Sequence, residues 1–212
     1  MRAAVLTRYR APLEMAQVAD PDRPPDGLVL RVLACGICRS DWHSWTGADP
    51  DVHLPHVPGH EYCGIVEEVG PLVRRWQRGD RVIAPFILAC GACPACAAGQ
   101  QTTCPSQVVP GFTCPGAFAE RIAVPHADAN LARLPDGMDP ALAAALGCRV
   151  TTAWHALTGR AAVQAGEWVA IHGAGGVGLS AMLLARAIGA RTVLVDVVEE
   201  KLAHAVETLS KK

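Results

Sequence analysis

The sequence lacks any apolar run long enough to cross a membrane, because no segment approaches the roughly 18 uninterrupted apolar residues of a membrane helix. It also lacks an excess of charge of one sign. Its 19 basic and 20 acidic residues give a net charge of -1, which indicates neither a nucleic-acid partner nor an anionic membrane surface. Internal repeats and low-complexity segments are missing too. The start, Met1 to Leu6, is too short an apolar run for a secretion signal, and we interpret it as a β-strand.

Nine cysteines are conspicuous against these absences. Without a secretion signal, they indicate metal ligation and free thiols in a reducing compartment, so we expect a cytoplasmic protein. The 212 residues, half of them hydrophobic, can form one large domain or two small ones with a sizeable core.

Four of the cysteines form a tight cluster in the sequence. Cys90, Cys93, Cys96 and Cys104 are separated by three, three and eight residues. Four thiolates at this spacing can close a tetrahedral zinc site that has no open position, so the spacing predicts a structural zinc in a lobe at about 88–106. Two disulfides or an iron-sulfur cluster are the alternatives. The lobe has little with which to build a core, and we expect the metal to replace one.

A second metal site is predicted around His60. It lies in the run Gly59-His60-Glu61, with Cys38 upstream and Cys148 downstream. One imidazole and two thiolates make a three-ligand zinc site with a free fourth position. The alternative for a lone histidine is a hydrogen-bonded residue of the core or the surface.

The last third of the chain has the pattern of a dinucleotide-binding unit. In order, it predicts a strand, a glycine-rich loop, a helix, a strand and an acid, at 168–172, 173–178, 179–188, 192–195 and Asp196. Gly173 permits the turn, Gly175 lets the backbone approach a pyrophosphate, and Gly178 allows close packing of helix on strand. The helix start supplies N–H donors. Asp196 accepts from a ribose hydroxyl and would repel a 2′-phosphate, which favours NAD over NADP.

The run from Gly59 to Val73 resembles the zinc signature of the zinc-containing medium-chain alcohol dehydrogenases, and the resemblance extends over essentially the whole chain. It implies a GroES-like β-barrel catalytic domain at 1–150 that carries both zincs, followed by a partial Rossmann domain at 151–212. The implied reaction is the reversible, NAD-linked oxidation of an alcohol to an aldehyde or ketone. The catalytic zinc would act as a Lewis acid on the alcohol. Family members are homodimers or homotetramers.

The resemblance also implies roles for single residues. Ser40 contacts the substrate alcohol, Asp41 orients the zinc-bound imidazole, and His43 forms the outer end of a proton relay. Helix N-capping is the alternative for Ser40 and Asp41. Glu61 either ligates the zinc transiently or stays beside the ligands without touching the metal, and we favour the second.

Further residues are implied to contact the cofactor. Arg39 matches a family residue that contacts the cofactor pyrophosphate. Thr152 matches a residue near the nicotinamide, and Lys201 matches a second residue that contacts the ribose. The loop contacts are Gly173, Gly175, Gly176, Val177 and Gly178. The three remaining cysteines match no ligand position, and we expect them to be small buried hydrophobes: Cys35, Cys63 and Cys114.

Only one half of a dinucleotide fold is present before the sequence ends, so we interpret the chain as truncated relative to the family. We therefore expect the 212-residue chain to bind zinc, to bind NAD weakly and to oxidise alcohols at background rates. The alternatives are a polyol or sugar dehydrogenase of the same superfamily and an inactive zinc-binding fragment. Several polyol dehydrogenases use a carboxylate where this chain has Cys148, which favours a simple alcohol.

Overall fold

The computed structural model describes residues 1–210. They form two compact units, Met1–Gly147 and a second that begins at Cys148. The contacts divide these units between Gly147 and Cys148, within the π-helical stretch Leu146–Val150 that runs directly into the helix Thr151–Trp154. The domain bounds 1–150 and 151–212 stay a prediction. Within the described residues, every helix is too short or too polar to cross a membrane.

The first unit is built on antiparallel sheets. Strands β1 and β2 form a two-stranded sheet, and β3 to β7 form a five-stranded sheet in the order β6-β3-β4-β5-β7. The strands are β1 Arg2–Val5, β2 Glu14–Gln17, β3 Leu28–Gly36, β4 Glu61–Val69, β5 Arg81–Ile83, β6 Arg121–Val124 and β7 Ala132–Arg133. The main core lies against the larger sheet, where Leu28, Leu30, Tyr62 and Val66 are fully buried.

The pairing of β3 with β4 brings the two ends of the predicted zinc motif together. The strands are antiparallel, with Gly36 opposite Glu61. The sequence pattern predicts a strand at 64–69, and β4 begins three residues earlier, at Glu61. Since the end of β3 and the start of β4 lie at the same end of an antiparallel pair, Cys38 and His60 emerge from the sheet side by side.

The first unit also contains short helices. They are α1 Arg39–Thr46, α2 Pro94–Ala97, a 3₁₀ turn Gln101–Thr103, α3 Ala127–Asn130 and α4 Pro140–Ala144. Helix α4 is rich in alanine, and it begins where Asp139 accepts hydrogen bonds from the N–H groups of Ala141 and Leu142 at 2.8 and 3.1 Å. That N-cap satisfies donors which the helix itself cannot pair.

The second unit contains a β-α-β arrangement. Its elements are α5 Thr151–Trp154, a π-helical stretch His155–Arg160, β8 Trp168–His172, α6 Gly176–Ile188, β9 Arg191–Val195 and α7 Glu199–Ser210. Strands β8 and β9 pair in parallel, as a helical crossover requires. Ile171, Met182 and Ala205 form the buried core between strands and helices. Helix α6 begins at Gly176, three residues before the predicted start, because the last half of the glycine-rich loop is helical.

Candidate metal centres and nucleotide loop

The four-cysteine lobe has the geometry of a metal site. The sulfur atoms of Cys93 and Cys96 are 3.5 Å apart, those of Cys90 and Cys104 are 3.5 Å apart, and the Cys93–Cys104 and Cys90–Cys96 distances are 3.8 and 4.0 Å. A tetrahedral zinc with Zn–S bonds of about 2.3 Å holds its sulfurs about 3.8 Å apart. A disulfide needs about 2.05 Å. The four side chains therefore fit a closed zinc site, and the four thiols form no disulfide.

The surroundings of the four sulfurs shift the pKa values of Cys90 and Cys96 in opposite directions. The N–H groups of Ala92 and Cys93, and then the Cys104 side chain, lower the pKa of Cys90 to about 6. Burial instead raises the pKa of Cys96 to about 12. A divalent cation in the centre would compensate that burial and allow all four sulfurs to be deprotonated.

The second cluster joins the predicted ligands of the open site. The ligand atoms of Cys38, His60, Glu61 and Cys148 all lie within 4.8 Å of one another. His60 and Glu61 are almost completely buried. In the part of the chain that the structure describes, His60 Nε2 is buried without a hydrogen-bond partner. A buried imidazole nitrogen with an unused lone pair beside two sulfurs fits a zinc ligand.

Asp41 fixes the orientation of that imidazole. Its Oδ1 atom lies 3.1 Å from His60 Nδ1 and 3.3 Å from the Gly59 nitrogen. Its Oδ2 atom accepts the backbone N–H of Cys38 at 2.7 Å. Asp41 thus caps helix α1 and also holds the His60 ring, so the capping interpretation and the orienting interpretation describe the same carboxylate.

The surroundings of His60 are electrostatically negative. Burial lowers the pKa of His60, but the Asp41 carboxylate and the neighbouring Cys38 sulfur outweigh it and raise the pKa to about 9. Negative surroundings that favour a proton on this ring also favour a divalent cation. A Glu61 carboxylate oxygen belongs to the same cluster, which leaves Glu61 within reach of an ion held by the other three side chains.

Local backbone geometry explains the residues that flank the ligands. Gly59 has a φ of +101°, and a Cβ there would lie 2.7 Å from the backbone nitrogen of Phe118. Only glycine fits this turn, which presents His60 to the cluster. The Gly147 carbonyl accepts the N–H of Phe86 at 3.1 Å, and the peptide bond that follows leads directly to Cys148.

Beside His60 lies a pocket of about 210 Å³. Its wall contains Phe86, Phe112, Val109, Asp49 and Asp51. The ring centroids of Phe86 and Phe112 lie 6.4 and 5.2 Å from that of His60. No sequence pattern pointed to the two phenylalanines, because they lie 26 and 52 residues from His60 and in no motif.

The predicted relay residues lie on helix α1. The Ser40 hydroxyl oxygen is 3.9 Å from the sulfur of Cys38. His43 is exposed and its ring meets that of Trp42 edge-on at 5.3 Å. Arg39, predicted to contact the cofactor, stacks its guanidinium on the Trp42 ring at 4.3 Å.

The glycine-rich loop connects β8 to α6 and leaves its backbone accessible. Gly175, Gly176 and Val177 are exposed. Gly178 is buried, and a Cβ there would lie 1.8 Å from the carbonyl oxygen of Gly173. The third glycine therefore lets the helix pack closely on the loop, as the dinucleotide pattern requires.

Asp196 follows β9 and contacts this loop. Its Oδ2 accepts the N–H of Ala174 at 2.7 Å, its Oδ1 accepts the N–H of Val198 at 2.9 Å, and Lys201 Nζ lies 3.8 Å away. The two backbone donors lower the pKa of Asp196, so the carboxylate is charged at neutral pH. Thr152 is exposed on α5.

The sequence and the structure of this chain are similar to those of known proteins. A family model described as the alcohol dehydrogenase GroES-like domain matches residues 24–136. The chain is 40% identical over 203 residues to an alcohol dehydrogenase of Geobacillus stearothermophilus, covering 95% of this chain and 59% of the relative. It is 39% identical over 206 residues to an L-threonine 3-dehydrogenase of Streptomyces avermitilis, covering 95% and 59%. The solved alcohol dehydrogenase TADH from Thermus sp. ATN1 superposes with a TM-score of 0.91 at 36% identity, covering 98% of this chain and 61% of that one.

A GroES-like domain with a closed four-cysteine site and an open cysteine and histidine site, followed by a Rossmann-like segment, is the architecture of a zinc-containing dehydrogenase. The chain belongs to the zinc-containing medium-chain alcohol dehydrogenase family. The predictions of family and fold class are confirmed. The chain spans 59% to 61% of the length of these relatives.

Proposed function

We propose that this protein catalyses the NAD-linked, reversible oxidation of a small alcohol to an aldehyde or ketone. The observation that carries the proposal is the convergence of Cys38, His60 and Cys148 in one buried cluster. Three protein ligands leave a fourth position of a tetrahedral ion for substrate. The glycine-rich loop and Asp196 support the nucleotide half of the proposal.

Three residues of the chain have separate roles in the proposed reaction. Zinc, when bound, supplies a Lewis acid that lowers the pKa of an alcohol, and NAD accepts hydride. Asp41 holds the His60 ring so that Nε2 faces the two sulfurs. The Ser40 hydroxyl would accept the alcohol proton while giving up its own proton outward, and the exposed His43 would release a proton to solvent.

The pocket beside His60 supports a small substrate. Its volume of about 210 Å³ and the side chains of Phe86 and Phe112 favour a short or single-ring apolar alcohol. We expect benzyl alcohol and short primary alcohols to bind better than sugars, which need many hydrogen-bond partners.

A second candidate substrate class is an amino alcohol. The carboxylates of Asp49 and Asp51 belong to residues on the wall of the same pocket, and a carboxylate attracts a substrate ammonium group. The relative named L-threonine 3-dehydrogenase is 39% identical to this chain. Direct comparison of L-threonine with benzyl alcohol separates the two candidates.

Cobalt substitution tests the proposal. Cobalt(II) bound in both sites gives visible absorption, and an alcohol that reaches the open site should change the part of the spectrum that His60→Ala abolishes. Turnover by the 212 residues alone is expected at background, so NADH is measured in a chimera whose nucleotide-binding half is completed from a full-length relative, where it should form in proportion to the alcohol consumed. A cobalt spectrum that no alcohol or amino alcohol changes, together with an absence of NADH from the chimera, would contradict the proposed function.

A further inference from the structure

A second cavity lies in the first unit, apart from the metal clusters. Its volume is about 580 Å³, more than twice that of the pocket beside His60. Among the described residues, its wall contains none that belong to the two metal clusters. Aliphatic side chains from distant parts of the chain form much of this wall: Val5, Val18, Val57, Val108 and Ile122. Apolar cavities of about 300 to 1,000 Å³ with a few polar groups are the usual form of small-molecule sites.

One polar side chain of this wall is buried with an unpaired ring nitrogen. His56 is 7% exposed. Its backbone N–H and carbonyl both pair with Leu6, at 3.0 and 2.7 Å. Within residues 1–210, however, its Nε2 atom has no hydrogen-bond partner. A buried polar atom that stays unpaired costs free energy, so a group that supplies the missing hydrogen bond would stabilise this arrangement.

The His56 ring is neutral at pH 7. Burial lowers the pKa of His56, the Gly111 backbone offsets only part of that effect, and nearby His53 lowers the pKa further. A neutral imidazole has one N–H donor and one nitrogen lone pair. A hydroxyl group can donate to the lone pair or accept from the N–H, so it pairs with either tautomer.

The charged residues of the wall do not select for a charged ligand. Arg121 lies 3.3 Å from Asp20 Oδ1 and 2.8 Å from Glu67 Oε2, so its charge is compensated within the protein. Asp20 and Asp22 are exposed to solvent. An ion that entered the apolar part of the cavity would lose its hydration without gaining a partner of opposite charge.

We propose that this cavity binds a neutral, largely apolar small molecule whose hydroxyl group pairs with His56. The aliphatic wall would bury the body of the ligand, and the hydroxyl would satisfy the unpaired imidazole. The inference goes beyond the proposed function, because the cavity needs neither the metal ions nor the nucleotide loop.

The test uses 2-naphthol and naphthalene, which differ only in the hydroxyl group. Equilibrium dialysis of the zinc-loaded 212-residue protein gives the dissociation constant of each compound. His56→Phe keeps an aromatic ring but removes both ring nitrogens. The preference for 2-naphthol over naphthalene should therefore fall by about fivefold or more in this variant, as expected for the loss of one hydrogen bond to a buried partner.

Cys114 reports whether the compound occupies this cavity, because it belongs to the same wall. Saturating 2-naphthol should slow the alkylation of Cys114 by iodoacetamide, as followed by peptide mapping. Ala19→Phe alters an exposed residue of the wall, so the fold should persist while the new ring fills part of the cavity. This variant should weaken the binding of both compounds and restore the alkylation rate. Phe86→Leu changes the pocket beside His60 and is the matched control, which should bind both compounds like the unaltered protein.

Three results would overturn the inference. If neither compound binds, the cavity holds water only. An unchanged preference in a His56→Phe variant of normal metal content would remove His56 from the site. Binding that Phe86→Leu weakens, and that leaves the alkylation of Cys114 unchanged, would place the compound beside His60 instead. None of these results affects the cobalt test of the proposed function, so the two hypotheses fail separately.

Discussion

Asp41 Oδ1, on helix α1, and His60 Nδ1, directly before β4, lie 3.1 Å apart, and both side chains are buried. The contact makes His60 a donor at Nδ1, and a metal would take the place of the proton at Nε2. Because Asp41 also accepts the N–H of Cys38, one carboxylate positions two of the ligands of the open site.

Asp41→Asn should therefore weaken metal binding at the open site by roughly 10- to 100-fold, the usual cost of losing a carboxylate behind a ligating imidazole. The asparagine can still cap α1, so the fold should persist. Competition with a chromophoric chelator measures both sites separately. Exposed Asp51→Asn is the control and should leave both affinities unchanged. Equal release of both metals from Asp41→Asn would show that the effect is general unfolding.

A variant of the four-cysteine lobe should lose the metal ion of the lobe and keep the ion of the open site. Cys93→Ser should lower metal content by about one ion per chain and the free energy of unfolding by several kcal/mol, because structural zinc contributes directly to folding. Atomic emission analysis and chemical unfolding give the two quantities. Cys114→Ala, at a cysteine outside both clusters, should keep both ions. Unchanged metal content and melting temperature in Cys93→Ser would rule out a zinc in the lobe.

The sequence was sufficient for those parts of the molecule that depend on spacing. Cys90 to Cys104 lie within one short lobe, and 173–178 connect one strand to the next helix, so local spacing reflects local geometry. The predicted start of β4 was misplaced by three residues. In the case of β4, the register against β3 extends pairing to Glu61, and no local residue preference encodes that register.

Contacts between residues that are distant in the sequence could not be predicted from it. Phe86 and Phe112 reach His60 only through the tertiary fold. The matched position of Asp41 indicated its role only through the family resemblance, since an acid three residues after Cys38 also fits a simple N-cap.

Cys114 provides a test of the cysteines that match no ligand position. Burial raises its pKa to about 11, and only the thiolate reacts with iodoacetamide. In the folded protein its alkylation rate should rise about tenfold per pH unit between about pH 8 and 10, because the thiolate fraction does so below the pKa. Peptide mapping by mass spectrometry follows the reaction. The unfolded chain is the control, where the rate should level off above about pH 9. A plateau at that pH in the folded protein would mean that Cys114 is not buried.

Asp196 should determine the choice between NAD and NADP. Its carboxylate is charged at neutral pH and lies beside the loop at Ala174, where we expect it to repel a 2′-phosphate. Asp196→Ala with a basic residue introduced at the exposed Val197 should shift preference toward the 2′-phosphorylated ligand. Affinities for ADP-ribose and its 2′-phosphate derivative measure the shift.

Asp196→Asn separates charge from structure in this test. The amide oxygen can still accept the Ala174 N–H, so the loop keeps that contact, while the hydrogen bond from Val198 and the negative charge are lost. If charge sets the choice, this variant should bind the 2′-phosphorylated ligand more tightly than the unaltered protein does and lose little affinity for ADP-ribose. If its discrimination is unchanged and only Asp196→Ala loses affinity for both ligands, Asp196 supports the loop and does not select the cofactor.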